Sequence, residues 1–246
     1  MKIYKKHNPN RRKVGVLFVL QVVFGIFPAV LLLFFVFNIA PNSETNQLGA
    51  YISAAAIVLC GFAYIILGRK YNILLSGIKG EKSMLKIVKH FKHDYDIFVN
   101  VPIRYKRNRS ELDLLMVGER GIIIVEVKNH SGIINGTDSD DTWCQFKHYR
   151  DGRNTETEMK NPVKQVSRQR DILKNILRSE GIDAWIDGVV YFSNPFTKLK
   201  LNLSNPNSNV CLGEAELKQF INDYRGPKKL KKSEVERIRE ILVSLM

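Results

Sequence analysis

Residues 110–132, SELDLLMVGERGIIIVEVKNHSG, read as two strands folded back on a tight turn. Gly118 and Gly121 flank Glu119 and Arg120, the composition of a two-residue hairpin loop. The strand from Ile122 to Val127 is apolar except at Glu126, and Lys128 follows it. Asp113 interrupts the preceding strand in the same way. A two-residue turn sets the register so that Asp113 lies opposite Glu126. Opposed residues sit about 4.5–5.5 Å apart and project on one face, so the two carboxylates converge where one divalent cation could bind both. Lys128, two residues on, shares that face.

Like charges opposed on a sheet are destabilising, and a buried carboxylate is costly unless it is paired or bound to metal. A cation reverses the sign of that penalty. An isolated Glu-x-Lys is more often an outward-facing strand end, and the same register would let Lys128 pair with Glu111. Here the opposed Asp113 and the apolar run leading in favour a site. So does Glu81, which lies on the inward stripe of a predicted helix over residues 80–91 with Met84, Leu85, Val88 and Phe91.

The front of the chain has a different character. Residues 14–40 contain no charge and are broken only by Gln21, Pro28 and Asn38, and a second apolar run covers 48–68. Each is long enough to span a hydrocarbon core of about 30 Å. The first run exceeds the h-region of a cleavable signal peptide, and a second span follows it. The connecting residues 41–47, PNSETNQ, suit a short loop, so the two runs form a helical hairpin. Lys2, Lys5, Lys6, Arg11, Arg12 and Lys13 precede the first run and Arg69 and Lys70 follow the second, whereas the loop carries only Glu44. That asymmetry predicts a two-pass protein of the cell membrane with both termini in the cytoplasm.

The net charge is +14 over 246 residues. Residues 1–70 hold eight of the 38 Lys and Arg and one of the 24 Asp and Glu, which leaves +7 for the remainder. Such a domain suits a polyanion, either nucleic acid or the anionic face of a lipid bilayer. Cys60, Cys144 and Cys211 are too widely spaced for a zinc knuckle or a disulfide framework, as expected of a reducing compartment.

Beyond residue 77 the pattern alternates helix and strand in the order α, β, β, β, α, β. Strands are predicted at DIFVNVPI, through the hairpin, at 132–136, at 142–149 and at AWIDGVVYFS. Asn161 and Pro162 form an N-cap and first helical residue for a helix reaching about residue 179. A further helix is predicted at 214–224, and a basic amphipathic one after Gly226-Pro227. This divides the chain into a basic N-terminus (1–13), a transmembrane hairpin (14–70), a cytoplasmic α/β domain (71–225) and a basic C-terminal helix (226–246).

The segments GIKGE, ELDLLMVGERGIIIVEVKNHSG, the tryptophan of DTWCQF and NPVKQV resemble the nuclease-related domain, or NERD, family of the PD-(D/E)xK nuclease superfamily. The resemblance covers about residues 77–192. It implies a restriction-endonuclease-like α/β core with a mixed central sheet flanked by helices, here preceded by two transmembrane helices. It also implies a site on Glu81, Asp113, Glu126, Lys128 and Gln165. Asp113 and Glu126 would hold Mg²⁺ (or Mn²⁺) with help from Glu81, Lys128 would orient the attacking water, and Gln165 would act from the helix N-terminus. The proline that conventionally precedes the aspartate is replaced by Leu112.

Arg104, Lys106, Arg107 and Arg109 stand just before the Asp113 strand, where they could hold a phosphodiester backbone. His130 reads as a polar strand-end residue, Asp138, Asp140 and Asp141 as a turn, and Trp143 as a core anchor. The expected function is a membrane-anchored, metal-dependent nuclease acting on DNA rather than RNA. The competing class is a non-catalytic module that binds nucleic acid or protein on the same fold.

Overall fold

The computed structural model describes residues 2–6, 8–38, 44–149 and 151–246. The chain divides into two units, Asn8–Ile78 and Met1–His7 with Lys79–Met246.

The first unit is helical, built from α1 (Pro9–Asn38) and α2 (Glu44–Val88) as far as Ile78. Mean hydropathy reaches 2.7 within Asn10–Leu33 and 2.2 within Gly49–Phe91, so both helices are long and apolar enough to cross a membrane. Phe18, Ile26, Leu33, Leu59 and Phe62 are exposed, so these helices do not form the core of a water-soluble bundle. They run antiparallel: the rings of Phe18 and Tyr71 lie 6.0 Å apart, Gln21 sits against Gly68, and Tyr64 against Gly25. Small residues at such crossings let apolar helices approach closely. Of the predicted connecting loop, residues 41–43 lie outside the described residues, and Glu44 to Gln47 already belong to α2. α2 also absorbs the separately predicted helix over 80–91, and its end tightens into a 3₁₀ turn at Lys89–Phe91.

The second unit is a mixed α/β fold. Its main sheet contains β1 (Ile3–Lys5), β2 (Asp96–Tyr105), β3 (Asn108–Gly118), β4 (Gly121–Lys128), β8 (Ile186–Phe192) and β10 (Asn209–Leu212), in that order. β2, β3 and β4 form an antiparallel meander, while β1 and β2, β4 and β8, and β8 and β10 pair in parallel. A smaller sheet orders β7 (Asn154–Lys160), β6 (Thr142–His148), β5 (Gly132–Thr137) and β9 (Thr197–Asn202). α3 (Pro162–Ser179), α4 (Gly213–Asp223) and α5 (Lys232–Ser244) complete the unit.

The Ile-Ile-Ile-Val run of β4 is buried on both faces because helices cover both. Ile122 and Ile124 meet Ile172, Leu173 and Ile176 of α3 and Ile238 and Leu242 of α5. Ile123 and Val125 meet Met84, Ile87 and Val88 of α2 and Leu217 and Ile221 of α4. Two glycines permit the closest approaches. A Cβ at Gly188 of β8 would fall 2.1 Å from the Val166 side chain of α3, and one at Gly136 would fall 2.1 Å from the Trp143 ring. Trp143 is fully buried, as expected of a core anchor, and donates its indole N–H to the Thr137 carbonyl at 2.7 Å.

Both ends of the chain depart from the predicted boundaries. Residues 1–13 are not one basic segment, because β1 extends the main sheet beside β2 before α1 begins. The carboxylate of Asp96, fully buried, accepts the Lys2 backbone N–H at 2.7 Å and the Arg239 Nε at 2.5 Å. Tyr4 stacks on Phe98 with ring centroids 4.8 Å apart. The C-terminal helix is likewise part of the α/β unit, since Val235, Ile238 and Leu242 of α5 lie in the core. Lys232 and Arg237 are exposed on its outer face, while Arg239 turns in to Asp96.

Asp96→Ala would strip β1 and α5 of a shared buried acceptor. The expected loss is about 2–3 kcal/mol of stability, discounted for the partial exposure of Arg239. Thermal unfolding of the detergent-solubilised full chain checks this, with Arg239→Ala expected to lose less.

Candidate active site

Gly118 pairs with Gly121 and the ladder runs to Leu114 opposite Val125, the register that the turn composition predicts. There it stops. The steps that would pair Asp113 with Glu126, and Asp113 with Asn100 on β2, are not ladder pairs. Asn100 has φ 58°, a left-handed conformation in mid-strand that asparagine tolerates better than most residues. Strand side chains normally alternate faces, yet Val99 packs toward α2 while Val101 packs toward α3. Leu114 and Leu112 switch in the same way on β3. Asp113 sits at this switch and accepts the Val127 backbone N–H through Oδ2 at 2.8 Å. The expected ladder pair is therefore corrected: the two acidic residues are neighbours, but the Asp113 side chain replaces a rung of the ladder.

Glu126 is 3% exposed and fully engaged. Its Oε1 accepts Lys128 Nζ and Gln165 Nε2, each at 2.7 Å, and its Oε2 accepts Gln169 Nε2 at 2.9 Å. Lys128 Nζ also donates to Gln165 Oε1 at 3.0 Å, which closes a triangle of Glu126, Lys128 and Gln165. Lys128 thus pairs with Glu126 and not with Glu111, whose backbone carbonyl accepts Gln169 Nε2 at 3.0 Å.

α3 supplies both glutamines because Asn161 starts it at the required place. The Asn161 side chain accepts the N–H groups of Val163 and Lys164, while its amide donates to the carbonyls of Thr137, Asp138 and Asp140. The acidic turn is thus a structural clamp on the helix start. Gln169 was not singled out from the sequence, although it lies one turn beyond Gln165 and one turn before Leu173 on the buried stripe. His130 is turned toward Gln145 at 3.2 Å, and burial lowers its pKa from the ordinary value.

Electrostatically the site carries an excess of buried negative charge. Burial first, then repulsion from Glu126, raises the Asp113 carboxyl from an ordinary 3.8 to about 8, and Glu81 adds to the repulsion. Glu81 lies half-buried near the end of α2, beside Gly80, where an added Cβ would come within 3.1 Å of Val127 and Asn129. That close approach keeps the end of the helix against β4. Among the described residues no three His, Cys, Asp or Glu side chains are grouped closely enough to hold a metal alone. The donor set still fits a hard dication such as Mg²⁺, which takes one or two carboxylates and fills its remaining positions with water and phosphate. Three buried polar atoms without partners, Asn100 Nδ2, Gln169 Oε1 and Ser193 Oγ, belong to residues at or next to these groups.

The basic residues Arg104, Lys106, Arg107 and Arg109 are all exposed at the β2–β3 turn, and are not part of the carboxylate cluster. α3 adds Arg168, whose guanidinium donates to the Arg109 carbonyl at 3.4 Å, and Lys164. Together with Tyr105, Asn108, Ser167, Asp171, Ile172 and Asn175, these two α3 residues line a cleft of about 460 Å³.

Residues 76–193 match the family model of the nuclease-related domain. This part of the chain is a nuclease-related domain. The match takes in Glu81, Asp113, Glu126, Lys128, Gln165 and Gln169, and ends one residue beyond β8. No curated protein and no solved structure matches the chain.

Asp113→Asn should stabilise the metal-free protein, because it removes a carboxylate that the fold holds against burial and repulsion. The raised pKa sets the pH dependence: the wild-type penalty is absent below about pH 4, builds up to about pH 8, and is constant above. The expected gain at pH 8 is roughly 1–3 kcal/mol, or several degrees in Tm, and vanishes near pH 4. Thermal melts in chelator across that range check both.

Proposed function

We propose that the protein is a membrane-anchored nuclease that hydrolyses phosphodiester bonds in nucleic acid, DNA in preference to RNA, at the cytoplasmic face. The observation that carries this reading is the closed triangle of Glu126, Lys128 and Gln165 beside the buried, electrostatically repelled Asp113. The repulsion between the two carboxylates has no structural benefit of its own, and cation binding would relieve it. Asp113 and Glu126 would hold Mg²⁺ or Mn²⁺, with Glu81 contributing from α2. The bound ion would lower the pKa of its water and neutralise charge on the phosphate.

The remaining work falls to the protein's own groups. Lys128 Nζ is held by Glu126 and Gln165, so its position is preset before substrate arrives. From there it orients the attacking water and offsets negative charge as the phosphorus becomes five-coordinate. Gln165 Oε1 and Nε2 lock the lysine and the glutamate together, and their place in the first turns of α3 puts them where phosphate is favoured. Gln169 keeps the second oxygen of Glu126 turned toward α3. Arg104, Lys106, Arg107 and Arg109, with Lys164 and Arg168, would hold backbone phosphates away from the scissile bond.

The membrane reading rests on the two apolar helices and is supported by β1. Residues on both flanks of the hairpin belong to one sheet, which supports both flanks lying in one compartment. The basic flanking residues favour the cytoplasm.

The test is cleavage of single-stranded, double-stranded and branched DNA, and of RNA, by the detergent-solubilised full chain with Mg²⁺ or Mn²⁺. Glu126→Gln and Lys128→Ala should each lower the rate about 100-fold or more. Equal cleavage by wild type and both variants would assign the activity to a contaminant. Inert protein that binds DNA with a salt-dependent affinity would favour the binding-module reading instead.

A further inference from the structure

Residues 193–197, SNPFT, form a turn that the nuclease reading leaves unused. It is fastened to the segment that follows Lys128. The Ser193 N–H donates to the Lys128 carbonyl at 2.9 Å, and the Gly132 N–H donates to the Phe196 carbonyl at 2.9 Å. Between them the Thr197 hydroxyl donates to the His130 carbonyl. Within the turn, the Phe196 N–H donates to Asn194 Oδ1 at 3.0 Å and the Thr197 N–H to the Asn194 carbonyl at 3.1 Å. Pro195 fixes one further backbone angle. Every residue from Ser193 to Thr197 is therefore either bonded or conformationally restricted.

This well-tied turn presents Phe196 to solvent at 79% exposure. The other phenylalanines of the unit, Phe91, Phe98, Phe146, Phe192 and Phe220, are buried or half-buried. Thr197 is buried, so alternation along β9 sends Lys198 and Lys200 outward, both exposed, directly after the exposed Phe196 of the turn. An exposed aromatic ring on a tied turn, followed by two cations and joined directly to the strand that ends in Lys128, has the chemistry of a single-strand platform. Bases stack on the ring and the cations follow the phosphates.

We propose that Phe196 is a stacking platform for an unpaired nucleobase of the substrate strand, next to the scissile position, with Lys198 and Lys200 along the adjoining backbone. The proposal rests on the nuclease reading and specifies how its substrate is seated. Because the backbone that carries the ring is already tied, stacking orders only the Phe196 side chain. The site favours strands with at least one unstacked base and is indifferent to that base's identity.

The experiment is equilibrium binding of a fluorescent single-stranded DNA to the full chain in detergent, in chelator so that no cleavage intervenes. Phe196→Ala should weaken binding about 5- to 150-fold, and Phe196→Tyr should restore it to within about 3-fold. A set of oligonucleotides each carrying one abasic site should reveal a position at which wild type loses affinity and Phe196→Ala loses nothing further. In a Trp185→Phe background, Phe196→Trp should show emission quenched by DNA. Unchanged affinity in Phe196→Ala overturns the proposal, and if Glu126-dependent cleavage persists the nuclease reading survives that failure. Emission of Phe196→Trp that shifts on reconstitution into vesicles but ignores DNA also overturns it, and assigns the ring to the bilayer. Wild type that neither binds DNA nor cleaves in a Glu126-dependent way removes both readings.

Discussion

A carboxylate on a central strand, buried among isoleucines and valines, has to be compensated, and the arrangement around Glu126 is that compensation. An ionised group taken out of water must recover its lost hydration from hydrogen bonds and opposite charge. Glu126 recovers it from Lys128, Gln165 and Gln169, and two of these three come from α3. The helix must therefore start at Asn161 and lie close enough to the sheet for two glutamines to reach. Gly188, which leaves room for Val166, and the clamp of Asn161 on the turn at Thr137–Asp140 meet those conditions. Much of the fold on the α3 side of the sheet is set by the needs of one side chain.

Asp113 receives opposite treatment. It has one backbone donor, Val127, and faces negative charge from two directions. The pair thus combines a satisfied carboxylate with a frustrated one. Satisfaction at Glu126 fixes geometry, whereas Asp113 is left with a repulsion that its single backbone donor does not offset. The left-handed Asn100 makes this possible, because it lets β2 and β3 switch faces together and turns Asp113 out of the ladder without losing register. Residues held in sparsely populated backbone conformations commonly cluster at functional sites for this reason.

The parts legible in the sequence are those with local signals. Two glycines around a two-residue turn define the hairpin register, which places Glu126 and Lys128 on one face near Asp113, and Asn-Pro before a 3.6-residue apolar period defines the start of α3; joining Gln165 to that group rested on the family resemblance. Gln169 was within reach of the same helical period, but a glutamine beside apolar residues carries no mark of burial. Asn100 was not readable, since nothing in VNVPI announces a left-handed residue. β7 was missed because Thr155, Glu156, Thr157 and Glu158 are all exposed on an edge strand and show no alternation of apolar and polar residues. β1 was missed because its three residues find their partner about ninety positions away, where no local propensity reports the pairing.

That distant pairing has a consequence for how the protein is made. β1 precedes the apolar hairpin and β2 follows it, so the first strand waits unpaired until the whole hairpin has been synthesised and has taken up its position. Closing so long a loop is slow compared with local helix formation. Lys2 reaches the Asp96 carboxylate only when the residues before α1 and after α2 have come together. Until then the β2 edge stays open and the buried Asp96 carboxylate lacks the Lys2 N–H, so completion of the sheet edge is a late step that joins the two flanks of the hairpin.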